Sequence, residues 1–169
     1  MRIESFKSAF GNSARPTLFR VMLQFPGDSV DSTFYCKAAS IPTRTIGEIE
    51  LNYMGRKVYQ PGDTTFEPWT VTVYNDTTFA VKRALESWQE IMNEAKNNVG
   101  SMDPSEYERD LMVFHLDNQD NVIKQYTFKS AFPLNSGDEI PLDWGSVDTA
   151  EEYAVQFRYL YWTSDGSAS

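Results

Sequence analysis

The chain has 169 residues, which suits one domain, and 41% of them are hydrophobic and 14% aromatic; this is enough for a core and too apolar for an intrinsically disordered segment. Its 15 basic and 24 acidic residues give a net charge of −9, which argues against a protein that wraps phosphate backbones with basic side chains. No apolar run approaches the roughly 18 residues of a membrane helix, and the first residues lack a secretory signal. We therefore expect a soluble chain, made in the cytoplasm, that does not itself insert into a membrane.

Charge is distributed unevenly along the chain. Residues 1–60 hold eight basic and five acidic residues, net +3, whereas residues 61–169 hold seven basic and nineteen acidic residues, net −12. In an assembly of identical copies, this asymmetry favours contacts between the N-terminal part of one subunit and the acidic part of another.

Strand patterns dominate the first half of the chain. Apolar and mixed residues alternate from Leu18 to Phe25, and a second alternating run covers Thr33 to Ala38, as expected of half-buried strands. The turn-forming PGDSVD segment lies between them. These two runs are interpreted as an antiparallel hairpin.

A long polar hairpin is predicted over residues 45–60. One face would carry Ile49, Leu51 and Tyr53, and the other Glu48, Glu50 and Asn52. The glycine-containing tip is Met54, Gly55, Arg56 and Lys57, and Pro61-Gly62-Asp63 is predicted to form a turn after the returning arm. A hairpin with so polar a face is marginal alone, so we expect another subunit to cover it.

A further strand is predicted from Phe66 to Tyr74, with Pro68 at its start. The following residues 75–78 offer side-chain oxygens for a helix N-cap, and Gly100 offers a left-handed C-terminal end. Between them, apolar residues recur at helical spacing and predict a helix packed on a sheet through one stripe. The core stripe consists of Val81, Leu85, Trp88 and Met92.

The last third of the chain predicts a second hairpin, Leu111–Leu116 with Val122–Phe128, then an irregular stretch over 131–149 and a final aromatic strand from Tyr153 to Trp162. Altogether the pattern favours a mainly β fold, an antiparallel β-sandwich or barrel of two packed sheets with one flanking α-helix and an extended β-hairpin. We expect one domain over 1–169, with the arm 1–16 and the tail 164–169 flexible until assembly.

Little in the sequence indicates chemistry. One cysteine, Cys36, and one histidine, His115, cannot form a disulfide or supply a zinc site by themselves, and both are interpreted as packed strand residues. Phosphate-binding, nucleophile-elbow and zincin motifs are absent. The carboxylate pairs Glu48/Glu50, Asp103/Glu106 and Glu151/Glu152 are interpreted as solvated, so we predict no enzyme, no cofactor and no metal.

Several segments together resemble the tail tube proteins of T4-like contractile-tailed bacteriophages. They are ARPTLFRV at 14–21, CKAASIP at 36–42, MGRKVYQPGDTTFEPWTVTVYND at 54–76, SWQ at 87–89 and LDW at 142–144. They occur in the same order along nearly the whole chain, and 54–76 is the most specific. The helix and the aromatic final strand are also similar to the family.

The resemblance implies a structural virion protein of the tail tube. Six copies would form a ring, rings would stack into a hollow tube within a contractile sheath, and each subunit would contribute four strands to one continuous inner barrel. The implied partners are the chain itself, the tail sheath protein, the baseplate tube initiator, the tape measure protein and the tube terminator. Viral DNA would pass through without specific binding, and assembly would occur in the host cytoplasm.

Barrel geometry allows such a bore to pass DNA. Twenty-four strands at about 4.8 Å spacing and roughly 40° tilt give a backbone diameter of about 48 Å, and side chains leave roughly 38 Å. Duplex DNA, roughly 20 Å wide, fits with solvent around it. Wall carboxylates would keep phosphates off the surface by weak repulsion, screened over about 8 Å.

Site predictions follow from the hairpin. Glu48, Glu50 and Asn52 are predicted to line the lumen, because they form the polar face of a strand whose other face is apolar. Tip residues 54–57 are predicted to contact an adjacent subunit or ring, with Arg56 and Lys57 meeting acidic groups. The alternatives are a tube subunit of a related injection machine that delivers protein effectors, a monomeric ligand-binding β-barrel, and an enzyme that uses carboxylates or His115.

Overall fold

The computed structural model describes residues 3–5, 14–27, 30, 32–146 and 148–165. Its strands are β1 (Phe19–Met22), β2 (Cys36–Ala39), β3 (Arg44–Tyr53), β4 (Arg56–Phe66), β5 (Trp69–Tyr74), β6 (Arg109–Leu116), β7 (Val122–Pro133), β8 (Glu152–Arg158) and β9 (Tyr161–Ser164). Its helices are α1 (Ala80–Met92), α2 (Pro104–Tyr107) and a 3-10 helix, Ser32–Phe34. No helix in these described ranges has the length and apolar character needed to cross a bilayer.

Seven strands form one antiparallel sheet that is folded into two halves. The strand order is β1-β6-β7-β8-β5-β2, and β9 pairs with β7. The 12-residue β7 joins the halves: its first part pairs with β6 and β9, whereas Phe132 and Pro133 at its end pair with β8. Ser130, with φ 53°, lies at the change of partner. The predicted mainly β antiparallel fold with two packed sheets is therefore confirmed.

The core lies between the two halves and is closed by α1. Trp69 of β5 stacks on Phe128 of β7, with ring centroids 4.3 Å apart. The indole nitrogen of Trp88 on α1 donates a hydrogen bond to the Tyr107 carbonyl oxygen at 2.6 Å, so the one polar atom of this buried ring is satisfied. On the predicted stripe of α1, three side chains are buried and the fourth is partly buried against the core: Val81, Leu85, Trp88 and Met92.

The first two strands do not form the predicted hairpin. β1 pairs with β6 and β2 pairs with β5, at opposite ends of the sheet. The connection is anchored by the buried hydroxyl oxygen of Ser32, which accepts a hydrogen bond from the Leu23 backbone N–H at 2.8 Å. Because the 3-10 helix occupies residues 32–34, the chain crosses from one half to the other instead of turning back. The hairpin prediction is wrong for this reason.

Helix α1 ends eight residues before the predicted glycine. Its C-cap is Asn93, in an extended conformation, and the Ser101 N–H donates to the Ile91 carbonyl. The positive φ in this turn belongs to Asn98, at 54°, and not to Gly100. Gly100 is needed for space, because a Cβ there would lie 1.8 Å from the Met92 carbonyl oxygen. The chain after α1 therefore packs directly on the end of the helix.

The second hairpin is present as β6 and β7, but the single final strand is wrong. Residues 159 and 160 interrupt it, so that β8 pairs with β5 and β9 pairs with β7. The break turns the chain from one half of the sheet to the other, which leaves Tyr159 buried and Tyr161 exposed. Ser164 pairs with Tyr126 in β9, whereas 166–169, 1–2 and 6–13 lie outside the described residues.

Candidate assembly surface

The hairpin β3–β4 is a separate two-stranded sheet. It continues from the pair formed by β2 and β5 and is anchored at its base, where the Phe66 ring meets the Tyr159 ring at a centroid distance of 6.0 Å. All ten residues of β3 are exposed, and of β4 only Gly62 and Phe66 are partly covered. A two-stranded ribbon with so little covered surface is marginal in water. Within the described part of the chain, this strand pair thus has no partner layer.

The tip and the bulge of this hairpin have different glycine requirements. Met54 and Gly55, with φ of 49° and 81°, form the two-residue turn, which requires positive φ at both positions. Pro61, Gly62 and Asp63 do not form the predicted turn but lie within β4, where the register shifts opposite Gly47. A Cβ on Gly62 would lie 3.2 Å from Gly47 backbone atoms. Because β3 and β4 remain paired before and after this register shift, the Pro-Gly-Asp sequence forms a β-bulge instead of a turn.

The hairpin has two unlike faces. Ile49, Leu51 and Tyr53 lie opposite Gln60, Val58 and Arg56, and this row is called the apolar face. On the other side, called the polar face, Glu48, Glu50 and Asn52 lie opposite Pro61, Tyr59 and Lys57. The alternation therefore matches the sequence pattern, and the three candidate lumen residues share one face.

The polar face also carries Lys57, which the sequence pattern places at the tip of the hairpin. The Lys57 ammonium lies 2.9 Å from the Glu50 carboxylate, and Lys57 is directly across from Asn52. Such an exposed pair contributes little stability, but it offsets the charge of Glu50. Arg56 is on the apolar face with Tyr53. The face of the candidate lumen residues is therefore less acidic than the sequence alone indicated.

The other carboxylate pairs have structural partners. Asp103 caps α2 and accepts the Ser105 N–H at 3.0 Å, and its hydrogen bonds to Ser105 lower the pKa of this carboxyl. The Glu106 carboxylate accepts a hydrogen bond from the Ser101 hydroxyl, and the Glu152 carboxylate forms a salt bridge with the Lys37 ammonium group.

Cys36 and His115 also have packing contacts. Burial raises the pKa of the Cys36 thiol to about 12, and this thiol lies 3.4 Å from the Ser32 carbonyl oxygen. His115 Nε2 is 2.9 Å from the Arg15 carbonyl oxygen. Among the described residues, no group of three or more His, Cys, Asp or Glu side chains is placed to hold a metal ion. Cys36 lies in the edge strand β2, and His115 lies in β6 between β1 and β7.

Sequence reasoning missed two features. The stretch interpreted only as irregular exposes Leu142 at 87% and Trp144 at 103% of their full areas. At the base of the hairpin, a depression of about 470 Å³ is lined partly by Phe66, Tyr159 and Leu160. The LDW tripeptide could have indicated the first, because a tryptophan in a polar loop is unusual. The second is formed by four segments that are distant in sequence.

Comparison with known proteins gives matches along nearly the whole chain. The family model described as phage tail tube protein matches residues 14–165. The tail tube protein gp19 of Enterobacteria phage T6 is 33% identical over 165 residues, covering 96% of this chain and 99% of that protein. The tail tube protein of Serratia phage KSP90 is 32% identical over 174 residues, covering 98% of each.

A solved structure shares the fold at much lower identity. A chain in the 6-fold symmetrised baseplate of the anti-feeding prophage has a TM-score of 0.68 and 12% identity, with 91% of this chain and 96% of that chain covered. The predicted resemblance is confirmed by the family match and by the relatives at 32–33% identity. The chain belongs to the phage tail tube protein family, whose members are structural components of the virion tail.

Proposed function

We propose that copies of this chain form six-membered rings that stack into the hollow inner tube of a contractile phage tail, through which DNA leaves the virion. The observation that carries the proposal is the separate hairpin β3–β4, whose apolar face is left exposed by the residues that the structure describes. Family membership gives the type of assembly. The hairpin gives the chain a physical reason to associate with itself.

The apolar face supplies the driving force. Ile49, Leu51 and Val58 remain 49%, 44% and 49% exposed in the single chain. Burial of such side chains is favourable in proportion to the area removed from water. A neighbouring copy that covers this face therefore gains stability and also fixes a ribbon that is marginal alone. The tip residues Met54, Gly55 and Arg56 are proposed to reach the adjacent subunit or ring.

The polar face is proposed to line the bore. Glu48, Glu50 and Asn52 remain the lumen set, and Lys57 joins them because it shares their face and pairs with Glu50. Each copy would then present two carboxylates and one ammonium group. This leaves a weakly acidic wall that repels phosphates without a binding step.

We also propose the tail partners that the family resemblance implies. The sheath protein, the baseplate tube initiator, the tape measure protein and the tube terminator would contact the assembled tube and not the isolated subunit. The shared fold with a chain of the anti-feeding prophage baseplate supports a part in a ringed assembly.

The alternatives are less well supported. A tube subunit that delivers protein effectors shares the fold, but the relatives above 30% identity are phage tail tube proteins. A ligand-binding β-barrel requires an open interior, whereas stacked rings of Trp69 and Phe128 fill the space between the sheet halves. The phage tube is therefore the function that the observations favour.

Electron microscopy tests the proposal. Purified protein should form sixfold rings or hollow fibres in negative stain after prolonged incubation at high concentration. If the protein stays monomeric, coexpression with the remaining tail proteins of its phage supplies the natural nucleus for assembly. Tubes that form there without this chain would refute the proposal, whereas its presence along their length would support it.

A further inference from the structure

An exposed aromatic loop precedes β8. Residues 140–146, here called the Trp144 loop, turn at Asp143, whose carboxylate accepts the Gly145 N–H at 3.0 Å while its carbonyl accepts the Ser146 N–H at 3.2 Å. This turn holds Leu142 and Trp144 outward, and both are almost wholly exposed. Tryptophan is among the residues that contribute most energy when an interface buries them. The loop is thus an ordered projection with an unburied anchor.

A depression lies at the base of the hairpin. It has a volume of about 470 Å³, is here called the hairpin-base pocket, and is lined by Phe66, Phe132, Tyr159 and Leu160 together with five polar or charged residues. Leu160 is 66% exposed, so part of this lining is also unburied. Its volume falls within the range of sites that enclose organic groups larger than one side chain. The pocket can therefore accept an indole ring.

The loop and the pocket each offer one member of a possible charge pair. Asp143, next to Trp144, is the one carboxylate of the Trp144 loop. Arg158 lines the pocket and makes no salt bridge with any described residue. Glu108 also lies on the pocket lining, so the approach of Asp143 is favoured on the Arg158 side.

The loop and the pocket lie at opposite ends of one strand. The loop comes before Glu152, where β8 begins, and the pocket is formed after Arg158, where β8 ends. Six residue steps of strand span about 20 Å. A loop anchored before the strand therefore does not reach the pocket beyond it in the same chain.

We propose that Trp144 of one copy inserts into the hairpin-base pocket of the next copy, with Asp143 facing Arg158. The inference depends on one part of the proposed function, which is that copies of this chain contact each other in an assembly. Because the two surfaces are different, the contact is head-to-tail, and such contacts propagate into rings or filaments. It is also separate from the apolar face of the hairpin.

Cysteine cross-linking tests the contact directly. The chain is first made Cys36→Ala, and Trp144→Cys is then combined with Leu160→Cys. Mild oxidation of assembled protein should give a ladder of dimers, trimers and longer chains on non-reducing gels. The matched control combines Trp144→Cys with Val122→Cys, which is 49% exposed and lies eight strand residues from Ser130, the nearest pocket residue along β7, and should give no ladder.

Charge reversal gives an independent measurement. Asp143→Arg and Arg158→Asp should each weaken assembly, and the double variant should restore it, because exchange of the partners recreates the pair. Trp144→Ala should raise the concentration required for assembly about 30-fold, equivalent to about 2 kcal/mol for a central aromatic anchor. Circular dichroism and thermal unfolding show whether each single chain remains folded.

The outcomes separate this inference from the proposed function. If wild-type protein forms tubes but the paired cysteines give no ladder and the double reversal gives no rescue, the contact is refuted and the tube function stands. Loss of binding of a different tail protein by Trp144→Ala, with tube formation unchanged, also refutes it. Failure of wild-type protein to enter tubes under nucleated conditions refutes the proposed function itself.

Discussion

Removal of the apolar face of the hairpin should block assembly while leaving the subunit folded. The change is Ile49→Thr, Leu51→Thr and Val58→Thr together, which places at each position a β-branched residue suited to strands. Full burial of a valine, leucine or isoleucine side chain is worth roughly 1.5–3 kcal/mol. About half of that is still available at each position, because the side chains are 49%, 44% and 49% exposed. The three together therefore contribute about 3 kcal/mol to association.

Each tenfold change in affinity corresponds to about 1.4 kcal/mol. A loss of about 3 kcal/mol of association free energy therefore raises the concentration required for assembly roughly 100-fold. Sedimentation and negative-stain microscopy over a concentration series measure it. The free energy of unfolding of the monomer should fall by no more than about 1.5 kcal/mol, because each substitution at an exposed position changes it by about 0.5 kcal/mol. The control is Val122→Thr with Ile123→Thr, which are 49% and 54% exposed outside the hairpin. A triple variant that assembles at the wild-type concentration would refute the reasoning.

Three further predictions concern the bore, a close backbone contact and the thiol. Glu48→Lys makes the polar face net basic and should lower plaque formation at least about tenfold while tubes still form; normal DNA delivery by such tubes would count against the lumen assignment. Gly100→Ala should lower the free energy of unfolding by about 1–3 kcal/mol in urea titrations, because its Cβ would lie 1.8 Å from the Met92 carbonyl oxygen. Gly145→Ala, whose nearest atom is a flexible carboxylate oxygen at 3.4 Å, is the matched control and should change it by less than about 0.5 kcal/mol. Cys36, with a pKa raised to about 12 by burial, should react with iodoacetamide at pH 8 about 1000-fold more slowly in the native chain than in guanidinium, because its thiolate fraction is lower; equal rates would contradict this.

Local patterns and family membership could be predicted from the order of the residues alone. Alternation predicted the two faces of β3, the strand before α1 and the hairpin β6–β7, because side chains of a strand alternate wherever one face is covered. Helical spacing predicted the stripe of α1 for the same reason. The segment 54–76 carried the family resemblance because its turn, glycine and aromatic residues occur in one continuous stretch.

Tertiary structure decided which segments meet. β1 and β2 are neighbours in sequence but lie at opposite ends of the sheet, because the buried Ser32 hydroxyl holds the crossing chain at Leu23. The register between β3 and β4 likewise places Lys57 beside Glu50. It also makes Pro61-Gly62-Asp63 part of a β-bulge within β4. A local pattern records only how a residue relates to its near neighbours along the chain. Strand partners, cross-strand charges and the hairpin-base pocket arise from contacts between distant segments, whose free energies depend on how the whole core packs.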